Sequence, residues 1–133
     1  MENLNNIIDK LKQSFKSEKI KESVLDDNWL IINRENKIDS TGFCYYAHEV
    51  IYRLTGGREN WKFMRIPEED FPSFGPYYFL KSKKDNSVLD ITADQCSKLS
   101  IKIPYEKGKG KGLQKTSNKA KILANEIGEK LFV

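Results

Sequence analysis

Two stretches of this sequence carry side chains that could do chemistry, and the first is a run in which lysine and glycine alternate. It occupies residues 104–113 and reads Pro-Tyr-Glu-Lys-Gly-Lys-Gly-Lys-Gly-Leu. Glycine lets the backbone approach a ligand closely and turn its N–H groups towards it, and lysine adds positive charge. The N-terminus of a helix predicted to begin at Ser117 adds partial positive charge. The pattern suits a phosphate or another multivalent anion. A solvated basic loop stays open as the alternative, because Walker-type spacing is absent.

The second stretch contains Cys44, which follows Asp-Ser-Thr-Gly at residues 39–42. Asp, Ser and Thr side chains accept hydrogen bonds from free N–H groups, so this segment predicts a helix start. A thiol in the first turn of a helix is stabilised as thiolate, which is where a reactive cysteine would lie. The alternative is a small core residue. His48 lies one helical turn further on, within reach of an i, i+4 contact.

No metal site and no cofactor are predicted. Cys44 and Cys96 match no metal-binding spacing, and both are expected to be reduced thiols. His48-Glu49 begins like a zinc-peptidase motif, but residue 52 is Tyr rather than His.

The positive charge of the chain is concentrated in one segment. The net charge is +4, and residues 105–121 contain six lysines and one acid, a net +5, so the remainder carries −1. A local charge of this kind favours a discrete anion site over a broad nucleic-acid surface. Nucleic acid is therefore not the favoured partner, and a membrane is not expected because no apolar run approaches the length of a membrane span.

Size and patterning predict a single domain over residues 1–133 with an α+β fold. A small antiparallel sheet is expected to pack against N-terminal, central and C-terminal helices. The N-terminus lacks a basic start followed by an apolar block, so no secretion signal is expected and the predicted location is the cytoplasm. A homo-oligomer is compatible with so small a domain.

The apolar spacing places the individual elements. Helices are predicted at 2–17, at about 42–54, from a capping box at Thr92 to Leu99, and from Ser117 onwards. Strands are predicted at 61–66 and 101–103, and as an antiparallel hairpin of 77–81 with 88–92. Residues 33–37 are predicted as a loop. For residues 29–32 the pattern fits a short buried strand and a helical turn equally well.

Residues 40–125 resemble a set of small bacterial and phage-borne proteins. The resemblance rests on four motifs: Thr-Gly-Phe-Cys at 41–44, Tyr-Tyr-Phe-Leu at 77–80, Asp-Ile-Thr-Ala-Asp-Gln at 90–95, and the lysine–glycine run. If the protein is phage-encoded, the expected location is the cytoplasm of the host cell.

The order of a cysteine on a helix, a histidine on a strand and an acid on the next strand also looks like papain-like and NlpC/P60-like cysteine hydrolases. In such a site histidine accepts the thiol proton and the acid orients the histidine. Cys44 and Asp90 match two of these roles, whereas the histidine position is Tyr77. Tyrosine is a poor base near neutral pH, so the resemblance implies an incomplete triad.

The preferred hypothesis is therefore a non-catalytic protein that captures a small anionic, nucleotide-like ligand. Some phage proteins of this size act as sponges that hold immune nucleotide signals, an analogy of role and size only. The predicted ligand-binding residues are Tyr45, Tyr77, Asp90, Gln95, Tyr105, Lys107, Gly108, Lys109, Gly110, Lys111 and Gly112. The alternatives are a cysteine hydrolase or transferase using Cys44, His48 and Asp90, and a nucleic-acid binder using residues 107–121.

Overall fold

Residues 3–131, which the computed structural model describes, form six α-helices and one four-stranded sheet. The helices are α1 (Leu4–Ser14), α2 (Glu18–Val24), α3 (Asp27–Asn36), α4 (Cys44–Leu54), α5 (Asp94–Ser97) and α6 (Asn118–Glu126). The strands are β1 (Trp61–Ile66), β2 (Tyr77–Ser82), β3 (Val88–Leu89) and β4 (Lys109–Gly110). Short 3-10 helices cover Gly57–Glu59, Glu68–Asp70 and Tyr105–Lys107. The predicted α+β class is confirmed.

The sheet is antiparallel throughout and has the strand order β3-β2-β1-β4. Leu80 of β2 lies opposite Phe63 on one side and Leu89 on the other. The predicted antiparallel hairpin of β2 and β3 is therefore confirmed, but its second strand ends at Leu89 and does not extend to residue 92. Gly110 of β4 pairs with Met64, so the lysine–glycine run supplies the edge strand beside β1.

The two faces of the sheet pack against different parts of the chain, because side chains alternate along each strand. Phe63 and Leu80 face the larger core, which contains Val50 of α4. Met64 and Phe79 belong to a second core with residues from the α5 region. Helices therefore cover one face, and the irregular segment between β3 and β4 covers the other.

The predicted helix at the N-terminus is confirmed over Leu4–Ser14, where the i, i+4 pair Ile7 and Leu11 is buried. Asn3 caps it by accepting a hydrogen bond from the N–H of Asn5. Residue 2 of the predicted range lies outside the described residues. A second helix, α2, begins directly afterwards, and the Ser17 side chain caps its N-terminus by accepting a hydrogen bond from the N–H of Ile20.

The prediction of a loop over residues 33–37 is wrong, since α3 extends to Asn36. Residues 29–32, for which strand and helix were both open, lie in the same helix. Asn33 is buried and donates from Nδ2 to the carbonyl oxygens of Asp39 at 3.0 Å and Thr41 at 2.9 Å. Its polar side chain thus stabilises the turn after the helix. Lys37, with φ of 56°, ends α3 in the left-handed conformation.

The predicted capping of the central helix by residues 39–42 is also wrong. Helix α4 begins at Cys44 with Phe43 as its N-cap and no side-chain cap. The polar side chains before it bind elsewhere: Asp39 pairs with Lys21 at 2.7 Å and Ser40 donates to Asp94.

Two further predictions fail in the segment after β3. The Thr92 hydroxyl donates to Asp90 rather than capping, and α5 covers only Asp94–Ser97. Residues 101–103 form no strand, although Ile103 is buried in the second core. The final helix is confirmed, with Ser117 accepting a hydrogen bond from the N–H of Ala120 at 3.1 Å. No helix within residues 3–131 is long and apolar enough to cross a membrane.

Candidate functional site

The carboxylate of Asp90 is the centre of a buried polar cluster. Asp90 follows β3, Tyr77 begins β2, and Tyr105 begins the 3-10 turn before β4. The hydroxyls of Tyr77 and Tyr105 both donate to Asp90 Oδ2 at 2.7 Å. Thr92 donates to Oδ1 from its backbone N–H at 3.0 Å and from its hydroxyl at 3.1 Å. With a side chain only 3 % exposed, Asp90 is held by four hydrogen bonds from the protein itself.

Cys44 lies beside this cluster but has no group that could accept its proton. The thiol is 6 % exposed at the start of α4. Burial raises its pKa to about 12, and the nearby charge of Asp90 adds to the effect. The backbone N–H groups of Tyr78 and Tyr45 act in the opposite direction and are outweighed. Near neutral pH the side chain is therefore a neutral thiol.

Tyr77 occupies the position in which the resemblance implies a histidine. Its hydroxyl acts there as a hydrogen-bond donor to Asp90. Its ring is fully buried and its hydroxyl is committed to Asp90. Burial and the Asp90 charge raise the pKa of Tyr77 far above its ordinary value of 10. The hydroxyl keeps its proton and cannot act as a general base for Cys44.

His48 cannot take over that role, because the protein engages both of its ring nitrogens. Nδ1 contacts the carbonyl oxygen of Cys44 at 2.6 Å, and Nε2 accepts the N–H of Ile91 at 3.1 Å. An acceptor at Nε2 puts the ring proton on Nδ1. Burial lowers the pKa of His48, while Asp90, 3.6 Å from Nε2, and the Cys44 carbonyl oppose the shift. The neutral ring joins α4 to the end of β3.

The structure thus brings together the three residues of the alternative catalytic set, Cys44, His48 and Asp90, without a usable proton acceptor for the thiol. Three of the predicted ligand-binding residues, Tyr77, Tyr105 and Asp90 itself, belong to the same cluster. Sequence spacing did not predict that the tyrosine hydroxyls would both bond to Asp90. The only signal was that Tyr77, Asp90 and Tyr105 each belong to one of the motifs on which the resemblance rests.

The lysine–glycine run lies at the other edge of the sheet from β3. Lys107, Lys109, Gly110 and Gly112 are exposed, and the N–H of Lys111 donates to Phe63 at 2.8 Å.

Gly108 is in this run for a packing reason. A Cβ at Gly108 would lie 2.7 Å from Cζ of Phe79, so a side chain there would collide with the second core. Its N–H donates to the carbonyl of Tyr105 at 3.0 Å.

The two remaining predicted residues lie apart from the run. Gln95 is 2 % exposed, and its Oε1 accepts the N–H of Gly42 at 3.0 Å. Tyr45 packs edge-on against Phe63 and Tyr78, with ring centroids 5.3 Å and 4.8 Å away.

A cleft that the sequence did not predict lies between α1, the turn after α3 and the segment after β3. Its volume is about 530 Å³. We call it the lysine cleft, after Lys12, Lys16, Lys37 and Lys98 in its lining. All four lysines are exposed. They come from three distant parts of the chain, so no local pattern could have grouped them.

The charges of the lysine cleft are not balanced. Each acid in its lining has a partner: Asp39 pairs with Lys21, Asp94 with Ser40 and Lys98, and Asp90 is enclosed by its four donors. Lys12, Lys16 and Lys37 form no ion pair with any residue between 3 and 131. Three lysines without an ion-pair partner therefore surround the opening, against one carboxylate, Asp90, whose four hydrogen-bond donors are neutral.

Among the described residues, no group of His, Cys, Asp and Glu side chains could hold a metal ion. Comparison with known proteins adds no relative, since no family model, curated protein or solved structure matches this chain.

Proposed function

We propose that this protein is a non-catalytic binding protein that captures a small anionic ligand of the nucleotide class. The observation that carries the proposal is the unbalanced charge of the lysine cleft, where three lysines lack an acidic partner within residues 3–131. Its volume of about 530 Å³ is in the range of small-molecule sites. Phosphate groups are compact anions that lysine ammonium groups bind as point charges.

The closed cluster at Asp90 supports capture over catalysis. A cysteine hydrolase needs a base that takes the thiol proton, and the two candidates here are Tyr77, which donates to Asp90, and His48, whose ring nitrogens are engaged. The pKa of Cys44, about 12, leaves its thiol protonated. A ligand held near this cluster would therefore stay intact.

The first experiment identifies what the protein retains. The purified protein is exposed to a cell extract or a nucleotide panel, washed and denatured, and the released compounds are analysed by mass spectrometry. An intact nucleotide supports capture, and an altered nucleotide supports the cysteine enzyme. Release of nothing contradicts both functions. Release of an altered nucleotide that persists in Cys44→Ala eliminates the alternative in which Cys44 is the nucleophile.

The second experiment locates the site by calorimetric titration with pyrophosphate and with the retained nucleotide. Lys16→Glu and Lys37→Asn should each weaken binding about tenfold, the equivalent of ~1.4 kcal/mol for a charged contact. Asn tolerates the left-handed backbone of Lys37, so this variant keeps the turn. Lys83→Glu, in the exposed turn between β2 and β3, is the matched control.

Lys109→Glu distinguishes the lysine cleft from the site that the sequence predicts. If this variant alone abolishes binding, the anion binds along β4 and the lysine cleft is the wrong location. If Lys16→Glu and Lys37→Asn weaken binding and Lys109→Glu does not, the cleft is the site. The nucleic-acid alternative predicts steeply salt-dependent binding of DNA or RNA, and absence of such binding at low salt eliminates it.

A further inference from the structure

A second pocket lies where the junction of α2 and α3, the first turns of α4 and α6, and the start of β2 meet. Its volume is about 240 Å³. We call it the aromatic pocket, after the rings of Trp29, Tyr45, Tyr46 and Tyr78 in its lining. It shares no lining residue with the lysine cleft, so the inference drawn from it is independent of the proposed function.

The shape of the aromatic pocket follows from the angles between its rings. All four aromatic residues are half-buried, so part of each side chain is open to a ligand. The planes of Tyr46 and Tyr78 make angles of 69° and 82° with that of Tyr45. Rings at such steep angles enclose a rounded space rather than a flat slot, and suit a compact group better than a planar base. The faces of aromatic rings attract cations, and quaternary ammonium groups are recognised in this way.

The lining also contains one carboxylate, that of the exposed residue Asp26. Its Oδ1 accepts the N–H of Trp29 at 2.9 Å as the N-cap of α3, and Asp26 forms no ion pair within residues 3–131. Burial raises the pKa of Tyr46, and the charge of Asp26 adds to the effect. The carboxylate is therefore close enough to act on the same space as the rings, where it attracts a cation.

One ammonium group, that of the half-buried Lys119, completes the charged lining. Nζ donates to the carbonyl oxygen of Ser23 at 2.9 Å, and no acid in the described part of the chain pairs with it. Lys119 lies in the first turn of α6, where the positive end of the helix dipole disfavours a further positive charge. An anion beside Lys119 would offset both charges and accept one of the remaining ammonium hydrogens.

We infer that the aromatic pocket binds a small zwitterion of the betaine class, which joins a methylated ammonium group to a carboxylate. The ammonium group lies among the rings beside Asp26, and the ligand carboxylate pairs with Lys119. An unmethylated ammonium group is strongly hydrated and would lose that hydration among the rings. A cation without an attached anion would leave Lys119 without a counter-charge.

Glycine betaine is the probe, and two analogues of nearly the same shape each remove one of its charges. Carbon replaces the ammonium nitrogen in the tert-butyl analogue, and a hydroxymethyl group replaces the carboxylate in choline. In NMR titrations of the ¹⁵N-labelled protein, betaine should bind about tenfold more tightly than the tert-butyl analogue and about fivefold more tightly than choline.

The two tryptophans of the chain locate the binding site in the same titrations. The indole N–H of Trp29 should shift with betaine. The indole N–H of Trp61, which donates to Thr55 outside the pocket, should not. Absence of betaine binding, equal binding of betaine and its tert-butyl analogue, or shifts that leave Trp29 unchanged would overturn the assignment.

Asp26→Asn removes the carboxylate charge and keeps the helix cap, because asparagine caps helices about as well as aspartate. The variant should bind betaine about fivefold to tenfold more weakly, without weaker binding of the tert-butyl analogue. Asp27→Asn, at the exposed neighbour outside the pocket, is the matched control. Lys119→Gln should weaken binding of betaine and of the tert-butyl analogue, but not of choline. Betaine binding as tight in Asp26→Asn as in Asp27→Asn would contradict the inference.

Discussion

The Tyr77 hydroxyl donates a hydrogen bond to Asp90 Oδ2 across 2.7 Å, in the position where the resemblance to cysteine hydrolases implies a histidine that accepts a proton. The direction of this hydrogen bond determines the chemistry of the cluster. A histidine could take a proton from Cys44 and share the resulting charge with Asp90. The tyrosine instead stabilises the buried carboxylate and leaves the thiol protonated.

Tyr77→Phe should lower the free energy of unfolding by about 1.5–3 kcal/mol, the usual contribution of a hydrogen bond to a charged group. Denaturant unfolding of wild type and variant measures the difference. Tyr52→Phe is the matched control, because the Tyr52 ring also packs on an aromatic residue, Phe63, and its hydroxyl makes no hydrogen bond within residues 3–131. Equal losses in the two variants would show that the bond to Asp90 adds no stability.

Cys44 should react slowly with thiol reagents at neutral pH. With a pKa of about 12, only about one thiol in 10⁵ is ionised at pH 7. Labelling by iodoacetamide in a Cys96→Ala background should accelerate with each pH unit up to the limit of protein stability. The denatured protein provides the rate of an unprotected thiol. A native rate at pH 7 that matches it would restore the cysteine-enzyme hypothesis.

The free energy of unfolding should fall as the pH decreases below about 6.5. The folded-state pKa of His48, lowered by burial, is below its ordinary value of 6.5. Below pH 6.5 the unfolded chain therefore binds a proton that the folded chain does not, and the loss continues until the folded-state pKa is reached. The slope approaches ~1.4 kcal/mol per pH unit. His48 is the one histidine of the chain, so no other imidazole contributes.

Chemical unfolding at several values between about pH 7.5 and about pH 5.5 measures this slope while most carboxylates stay ionised. His48→Asn serves as the comparison. It should be less stable at every pH, but its stability should vary little with pH in this range. Parallel curves for wild type and variant would rule out a buried neutral histidine as the cause.

Gly108→Ala should destabilise the fold by about 1–3 kcal/mol, the typical cost of overpacking a core. The added Cβ would lie 2.7 Å from the ring of Phe79, which is 1 % exposed in the second core. Gly110→Ala, two residues along the same run, should change stability by less than about 0.5 kcal/mol, because a Cβ there meets nothing within 4 Å. Thermal or denaturant unfolding of the two variants measures the difference in stability. The prediction is wrong if Gly110→Ala destabilises the protein as much as Gly108→Ala, or more.

Local signals in the sequence were sufficient for much of the fold. The apolar spacing of α1, the alternation in β1, the β2–β3 hairpin and the Ser117 cap depend on residues close together in the chain, and each is confirmed. Two of the failures lie where a polar side chain has a partner outside its own local segment. Asn33 was predicted in a loop because it is polar, yet its amide is buried against the backbone of residues 39 and 41. Ser40 was predicted as part of a cap, yet it bonds to Asp94, 54 residues away.

The sequence by itself determined which chemical groups this protein has: one histidine, two separated cysteines, a tyrosine where the resemblance to cysteine hydrolases implies a histidine, and a local excess of lysine. Only the tertiary structure decided how they are used. Asp90 receives two tyrosine hydroxyls from strands and turns that meet only after the sheet has formed. The lysines of the cleft are separated by up to 86 residues, from Lys12 to Lys98, and become neighbours when α1 packs beside the segment after β3. Charge and hydrogen-bond geometry depend on distance in space, and spacing along the chain predicts that distance only within a helix, a hairpin or a cap.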